Sequence, residues 1–285
     1  MKHILFIFPV FFLSFFSGFS QTTVWKIEGN GNEFYVGGSI HILRDQDYPL
    51  PKAFDEAYNS ADIITTELDM QEMNTPENGM KMQRALMYQD EKTLSTVLSE
   101  TVYHKLDSVA KTLGMNLKMM DKFKPSMAII ALTFQSLQKL GVTSEGVDAH
   151  YTKQAQKDEK PMLFLETFDE QLAFIESMGK GNEDEFVLYS IEDMKNNEAE
   201  FVHLIEDWKT GKQELMLKQL NDFQLNYPDI YKTLLVERNN NWMSRLEDYL
   251  KTPEVEFVIV GAMHLMGSEG VLNLLKEKGY TVSQL

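Results

Sequence analysis

The sequence predicts an α/β fold: a central mixed sheet flanked by helices, with a large helical insertion between the first and last strands. Short apolar, β-branched runs stand near both chain ends, at 34–36 and 257–260, and between them at 62–68 and 160–166. From Thr75 to Leu140 the apolar residues Met80, Leu86, Met87, Leu106, Val109 and Leu113 recur at helical spacing instead. No linker rich in Gly, Pro or Ser divides the stretch 21–285, which reads as one domain.

Taken in order, the first twenty residues read as a secretory signal peptide, cut near Ser20/Gln21. Met1-Lys-His3 is a basic start, Ile4 to Phe16 is almost wholly apolar, and Gly18 and Ser20 supply small residues. The alternative is an uncleaved anchor, against which the short apolar length and Pro9 count. No later stretch could span a bilayer, so the chain is expected to be exported, periplasmic or secreted. Val24–Glu28 and Glu33–Val36 flank Asn30-Gly31, a hairpin signal. Pro51 opens a helix to Ser60, and Asp62–Leu68 follows as a buried strand. The helical region closes with Pro125–Leu140, stopped by Gly141. Gly146-Val-Asp148 opens a helix to Gln156, Lys160–Glu166 is a strand, and Asp169–Met178 is helical. Residues 181–208 form an acidic helix, 213–250 hold helices broken at Pro228, and 254–260 form a strand. A closing helix at 267–278 and a last strand at 280–282 complete the pattern.

The chain has 43 acidic and 27 basic residues, a formal charge of −16, and loss of Lys2 with the leader makes the excess seventeen. That balance repels phosphate backbones and sets nucleic acid aside as a partner. It suits cations or basic peptides, and equally plain solubility. With no cysteine, disulfides, lipid attachment through cysteine and thiolate metal sites are excluded. The seventeen methionines serve as core filler or as the lining of an adaptable groove.

The chemistry gathers in a repeated motif. Phe34-Tyr-Val-Gly-Gly-Ser-Ile-His41 is nearly duplicated at Phe257-Val-Ile-Val-Gly-Ala-Met-His264, each an apolar run followed by Gly-x-x-His. Both place an imidazole just past a strand end, where ligands bind in α/β sheets. Glu67 and Glu166 also stand at strand ends. Two imidazoles and one carboxylate form a hydrolytic metal set with a place left for water, and the same ligands suit manganese, cobalt or zinc. Either Glu67 or Glu166 could complete the set with His41 and His264, and the spare carboxylate could take a proton from the bound water. The plainer reading is that each is a satisfied polar loop residue; the duplicated spacing weighs against that for the histidines. His104, His150 and His203 lie in helical stretches without matching partners, and the acids Glu183, Asp184, Glu185, Glu192 and Asp193 read as a solvated face. No serine nucleophile elbow, HExxH helix or phosphate-binding glycine loop occurs.

Trp25-Lys-Ile, Gly38-Ser-Ile-His41, the Glu67 strand, Gly146-Val-Asp148, Leu165-Glu-Thr167 with Gln171-Leu172, Glu237-Arg-Asn239 with Trp242, and Gly261-Ala-Met-His264 resemble the TraB/GumN family, in order and over almost the whole chain. The resemblance implies an α/β fold related to ChaN and erythromycin-esterase-like proteins. For Tiki-like members it implies metal-dependent peptide cleavage supported by manganese or cobalt. It matches His41 and His264 to the motif histidines, Glu67 and Glu166 to the family acids, and Arg238 to the family arginine. Arg238 is then expected to hold a substrate carboxylate or steady an oxyanion, or else to neutralise Glu67 or Glu166. Asn239 could orient either. Asp148 either caps its helix or faces the site, capping being the more economical account. The expected function is an exported metal-dependent hydrolase, a peptidase using a divalent-metal-activated water, with the metal on His41, Glu67 and His264, Glu166 as base, Arg238 steadying the oxyanion, and a peptide or small molecule as partner. The alternative is a non-catalytic extracellular protein that sequesters a peptide or ligand, with haem or iron capture a weaker third.

Overall fold

A computed structural model describes residues 22–285 apart from 74 and 144, and leaves the side chains of 195–199 aside. The expected signal peptide lies outside the described residues, and among these no helix is long and apolar enough to cross a membrane. Six strands form one sheet, β1 (Val24–Gly29), β2 (Asn32–Ser39), β3 (Ile63–Thr66), β4 (Met162–Phe164), β5 (Glu256–Gly261) and β6 (Thr281–Gln284), in the order β4-β3-β5-β2-β1-β6. The sheet is mixed as expected. The β4-β3-β5-β2 half is parallel, and β1 pairs antiparallel with both β2 and β6.

The turn between β1 and β2 is Asn30-Gly31, with φ of 56° and 85°. Positive φ at both central residues is what a tight hairpin with right-handed twist demands. β5 lies between β3 and β2 and is buried along its whole length. A parallel strand covered on both faces reads as an unbroken apolar run, which is why Phe257–Val260 shows no alternation. Trp208 closes one face over β2, its indole donating to Gly38 O at 2.6 Å.

The region 75–140 breaks into separate helices: Pro76–Leu86, Glu100–Thr112 and Pro125–Gln138, with short turns at Leu94–Val97 and Leu117–Met120. Leu106, Leu117, Ile129 and Leu132 build a second apolar cluster apart from the sheet's own. The 27-residue helix Glu183–Lys209 spans both, giving Val187 and Ile191 to the insertion and Ile205 and Trp208 to the sheet. Asp184, read as part of a solvated face, instead accepts the Ser99 amide at 2.9 Å and so holds the start of the Glu100–Thr112 helix. The expected strand 160–166 shrinks to three residues at the sheet edge, because Pro161 precedes it and only β3 pairs with it.

Glu256, at the start of β5, is 3 % exposed, and its Oε2 has no hydrogen-bond partner. Burial, with the charges of Glu254 and Asp62 nearby, pushes its pKa up to about 7 from 4.5. Its unfolded pKa is the lower one, so the unfolded state ionises first as pH rises. Stability therefore falls between about pH 4.5 and 7 and levels off above. Glu256→Gln cannot ionise. Thermal melts should show it more stable than the parent by about 1–2 kcal/mol at pH 8 and no different at pH 4. Parallel melting curves across that range would contradict the assignment.

Candidate active site

The β2–β5 register sets the site. Ser39 pairs with Gly261 and Gly38 with Val260, so the two Gly-x-x-His motifs leave the sheet side by side at the carboxyl ends of parallel strands. β3 ends at Thr66, opposite Ile259 of β5, and delivers Glu67 beside Gly261. β4 ends next, and the Glu166 amide donates to Glu67 O at 2.9 Å. Four of the expected residues thus arrive by sheet geometry alone. Arg238 arrives from the helix Glu237–Tyr249.

Arg238 is the hub. Its Nε donates to Glu166 Oε1 at 2.7 Å and its Nη2 to Glu166 Oε2 at 2.9 Å and Glu67 Oε2 at 2.5 Å. Its Nη1 reaches His264 Nε2 at 3.0 Å and Leu234 O at 3.4 Å. All five guanidinium donors are thereby committed inside the protein. Glu166 Oε1 also accepts the Trp242 indole at 2.9 Å. Both Glu166 oxygens are therefore occupied, and its side chain is 5 % exposed. The structure places the expected base as the anchor of the arginine.

His264 sits in the short helical turn Ala262–Leu265, 4 % exposed. Asn239 Nδ2 donates to Glu269 O at 2.8 Å, which turns Oδ1 toward His264 Nδ1 at 2.7 Å. Nδ1 therefore carries the proton and Nε2 accepts from Arg238. Burial, reinforced by the Arg238 and His41 charges, holds the pKa down to about 3, so the ring is neutral.

His41 differs. Its side chain is 56 % exposed, at the mouth of the cleft. Its Nδ1 lies 3.1 Å from Asp148 Oδ1, which also accepts the Ser39 hydroxyl at 2.7 Å. Partial desolvation on the side facing the cleft acts to lower its pKa, but the Asp148 bond and charge, with Glu67, raise it to about 9. Glu67 shows the reverse balance. Burial would raise it, while the charges of His41 and Arg238 and the Gly261 amide pull it down to about 2; His264, being neutral, adds no charge. That amide donates to Glu67 Oε1 at 2.6 Å.

Asp148 does not cap its helix. Gly146 is the N-cap of Val147–Lys157, and Asp148 turns into the site. A Cβ on Gly146 would lie 2.1 Å from the His41 carbonyl carbon, so only glycine lets the helix start against the His41 backbone. At Gly261 a Cβ would stand 3.1 Å from His41 Nε2, 3.4 Å from Glu67 Oε1 and 3.5 Å from His264 Cδ2. The absent side chain leaves a small seat ringed by those three groups. His41 and Glu67 also line a cleft of about 310 Å³, together with Ile42, Leu68, Met70 and Gln171.

The expected three-residue metal set can be tested on that geometry. His41 Nε2 and Glu67 Oε1 face the seat 3.9 Å apart, and at ligand bonds of ~2 Å each both could reach one cation. His264 turns its Cδ2 toward it, and its Nε2 is taken by Arg238. Among the described residues no group of three or more His, Asp or Glu side chains stands ready to hold a metal. Of the expected set, His41 Nε2 and Glu67 Oε1 face the seat, and His264 is turned to Arg238 instead.

The fold is that of an α/β protein whose polar centre lies beyond its parallel strand ends. The chain belongs to the TraB/PrgY/gumN family, whose pattern matches residues 23–284. It is similar to YbaP of Escherichia coli strain K12, described as uncharacterized, at 24% identity over 88% of this chain and 90% of that protein. YbaP of Shigella flexneri matches at the same identity and coverage. No solved structure matches.

Proposed function

We propose that the chain is an exported, metal-dependent hydrolase of peptide bonds, with its reacting groups at His41 and Glu67. The observation that carries this reading is the seat over Gly261. One exposed imidazole backed by a carboxylate, and one buried carboxylate held ionised, converge there, and both also line a cleft. Export is supported by the basic and apolar leader pattern of residues 1–20. A divalent cation held by His41 and Glu67 would supply Lewis acidity, polarising a carbonyl or acidifying water.

The chain's own residues do the rest. Asp148 accepts from His41 Nδ1, so Nε2 faces the seat, and the proton that the raised pKa keeps on the ring must leave Nε2 before a cation can bind there. Gly261 and Arg238 each hold one Glu67 oxygen and fix the carboxylate plane. Glu166, Trp242, His264 and Asn239 fix Arg238 in turn. Ile42, Leu68 and Met70 give the cleft its apolar wall.

The test is hydrolysis of a peptide library by protein stripped of metal and resupplied with manganese, cobalt or zinc. His41→Ala should lose metal occupancy and at least ~100-fold in rate, with little change in melting temperature because the side chain is half exposed. Asp148→Asn should cost roughly 10–100-fold in metal affinity. Folded protein that cuts nothing with any of the three metals refutes the reading. A sequestering role without turnover is the second reading, favoured by the full commitment of Arg238 to internal partners. Ligand binding that survives His41→Ala with no product formed would decide for it.

A further inference from the structure

The cleft at His41, of about 310 Å³, lies at the small end of the range for ligand sites, with room for a short length of peptide. Among the described residues lining it there is no lysine or arginine. Arg238 reaches Glu67 with every donor already placed on Glu67, Glu166, His264 and Leu234. The His41 ring lies 3.1 Å from Asp148 Oδ1 and 3.9 Å from Glu67 Oε1, so two carboxylates already answer any charge on it. An anionic group entering the cleft therefore gives up its water for two like charges and no free cation. With a metal on His41 and Glu67 given to the carbonyl at the cut, a terminal carboxylate one residue on still finds no partner.

The rest of the lining is uncharged. Ile42, Leu68, Met70 and Ile259 make its apolar wall. Met70 is 40 % exposed, and its unbranched thioether can follow side chains of different shape. Gln171 stands on the same lining and donates one amide N–H to Glu67 Oε2 at 3.4 Å. That bond ties the side chain beside Glu67 and leaves its other N–H and its carbonyl oxygen for a ligand. A primary amide donates and accepts at once, which is the complement of a peptide group.

We infer that the cleft takes an uncharged stretch of peptide, with an apolar side chain on Leu68 and Met70 and a backbone amide on Gln171, and rejects a free carboxylate. The inference rests on the peptide reading of this cleft given above and names its substrate class. Cleavage then falls within a chain or near its amino end, and not at a carboxyl-terminal residue.

Titration calorimetry on the whole chain tests it, with metal stripped so that no cation draws the carboxylate. The probes are acetyl-Leu-Leu-amide, the same dipeptide as its free acid, and acetyl-Ser-Ser-amide. The leucine amide should bind with a stoichiometry of one. The free acid should bind at least ~10-fold more weakly, because its charge is desolvated without a partner. The serine amide should also bind at least ~10-fold more weakly, for want of apolar contact. Met70→Lys, at an exposed side chain, should bring the acid to within ~3-fold of the amide by supplying the missing cation. Gln171→Ala should weaken the leucine amide by ~10-fold, the loss of two neutral hydrogen bonds. The inference is overturned if the acid or the serine amide matches the leucine amide, or if both variants bind like the parent. It is equally overturned if the leucine amide does not bind below about 5 mM, a ceiling near the millimolar end of specific affinity. Binding is read without turnover, so the two failures separate. Peptides bound with this preference and never cut refute the hydrolase alone, and peptides cut while acid and amide bind alike refute the inference alone.

Discussion

Arg238→Ala is expected to destabilise the protein by about 3–5 kcal/mol, because it leaves two buried carboxylates facing each other without a cation. Glu67 and Glu166 have side chains 11 % and 5 % exposed, and Arg238 bonds both. The guanidinium also lies 5.1 Å from the Trp242 ring and 5.5 Å from that of Phe174, so truncation empties a packed slot as well. A drop of roughly 10 °C in melting temperature follows at ordinary unfolding entropies for a chain of this size. Arg238→Lys should fall between, since an ammonium donates three hydrogen bonds where this site accepts five. Adding Glu166→Gln to Arg238→Ala should recover part of the loss, because one of the uncompensated charges is gone. Strictly additive losses, or an Arg238→Ala melt within a degree of the parent, would show that the arginine does not neutralise the pair.

Seen this way, much of the centre is legible in the chain and part is not. The duplicated Gly-x-x-His could be read because each copy is local, a buried run followed by a glycine, and the parallel register then carries both to one place. Glu67 and Glu166 were legible for the same reason. Their strands end where they stand, and the sheet order puts β3 beside both β4 and β5. Arg238 as a partner of Glu67 or Glu166 was among the readings open from the sequence; that it bonds both at once was not. What escaped was the assignment of neighbours. Asp148 reads as a cap because capping is a local habit, whereas its bond to His41 joins residues 107 apart in the chain. The commitment of His264 Nε2 to Arg238 depends on Asn239, whose amide is turned by a carbonyl 30 residues away. No periodicity encodes such a relay. The insertion was legible as helical and not as a second core, since spacing alone does not say which apolar faces meet.

The close approach of Gly146 to the His41 backbone gives the second large effect. A Cβ there would stand 2.1 Å from the His41 carbonyl carbon, 2.2 Å from its oxygen and 2.3 Å from Ile40 O. These are backbone atoms of the strand-end loop, held by the Val147 amide donating to Ile40 O at 3.1 Å, so no side chain can rotate away. The Gly146 φ of −98° is open to any residue, so the requirement is for space, not for conformation. Gly146→Ala should therefore push the start of the Val147–Lys157 helix off the loop, part Asp148 from His41 and Ser39, and cost about 1–3 kcal/mol or more. Gly79 is the control. It lies inside the helix Pro76–Leu86, and a Cβ there meets nothing within 4 Å. Gly79→Ala should stabilise by about 0.5–1 kcal/mol. Opposite signs for two chemically identical substitutions would be read directly from a pair of urea titrations. If Gly146→Ala proved as benign as Gly79→Ala, the docking of this helix on the His41 loop would be wrong. Asp148 would then lose its place behind His41, and with it the orientation of the one exposed imidazole in the cleft.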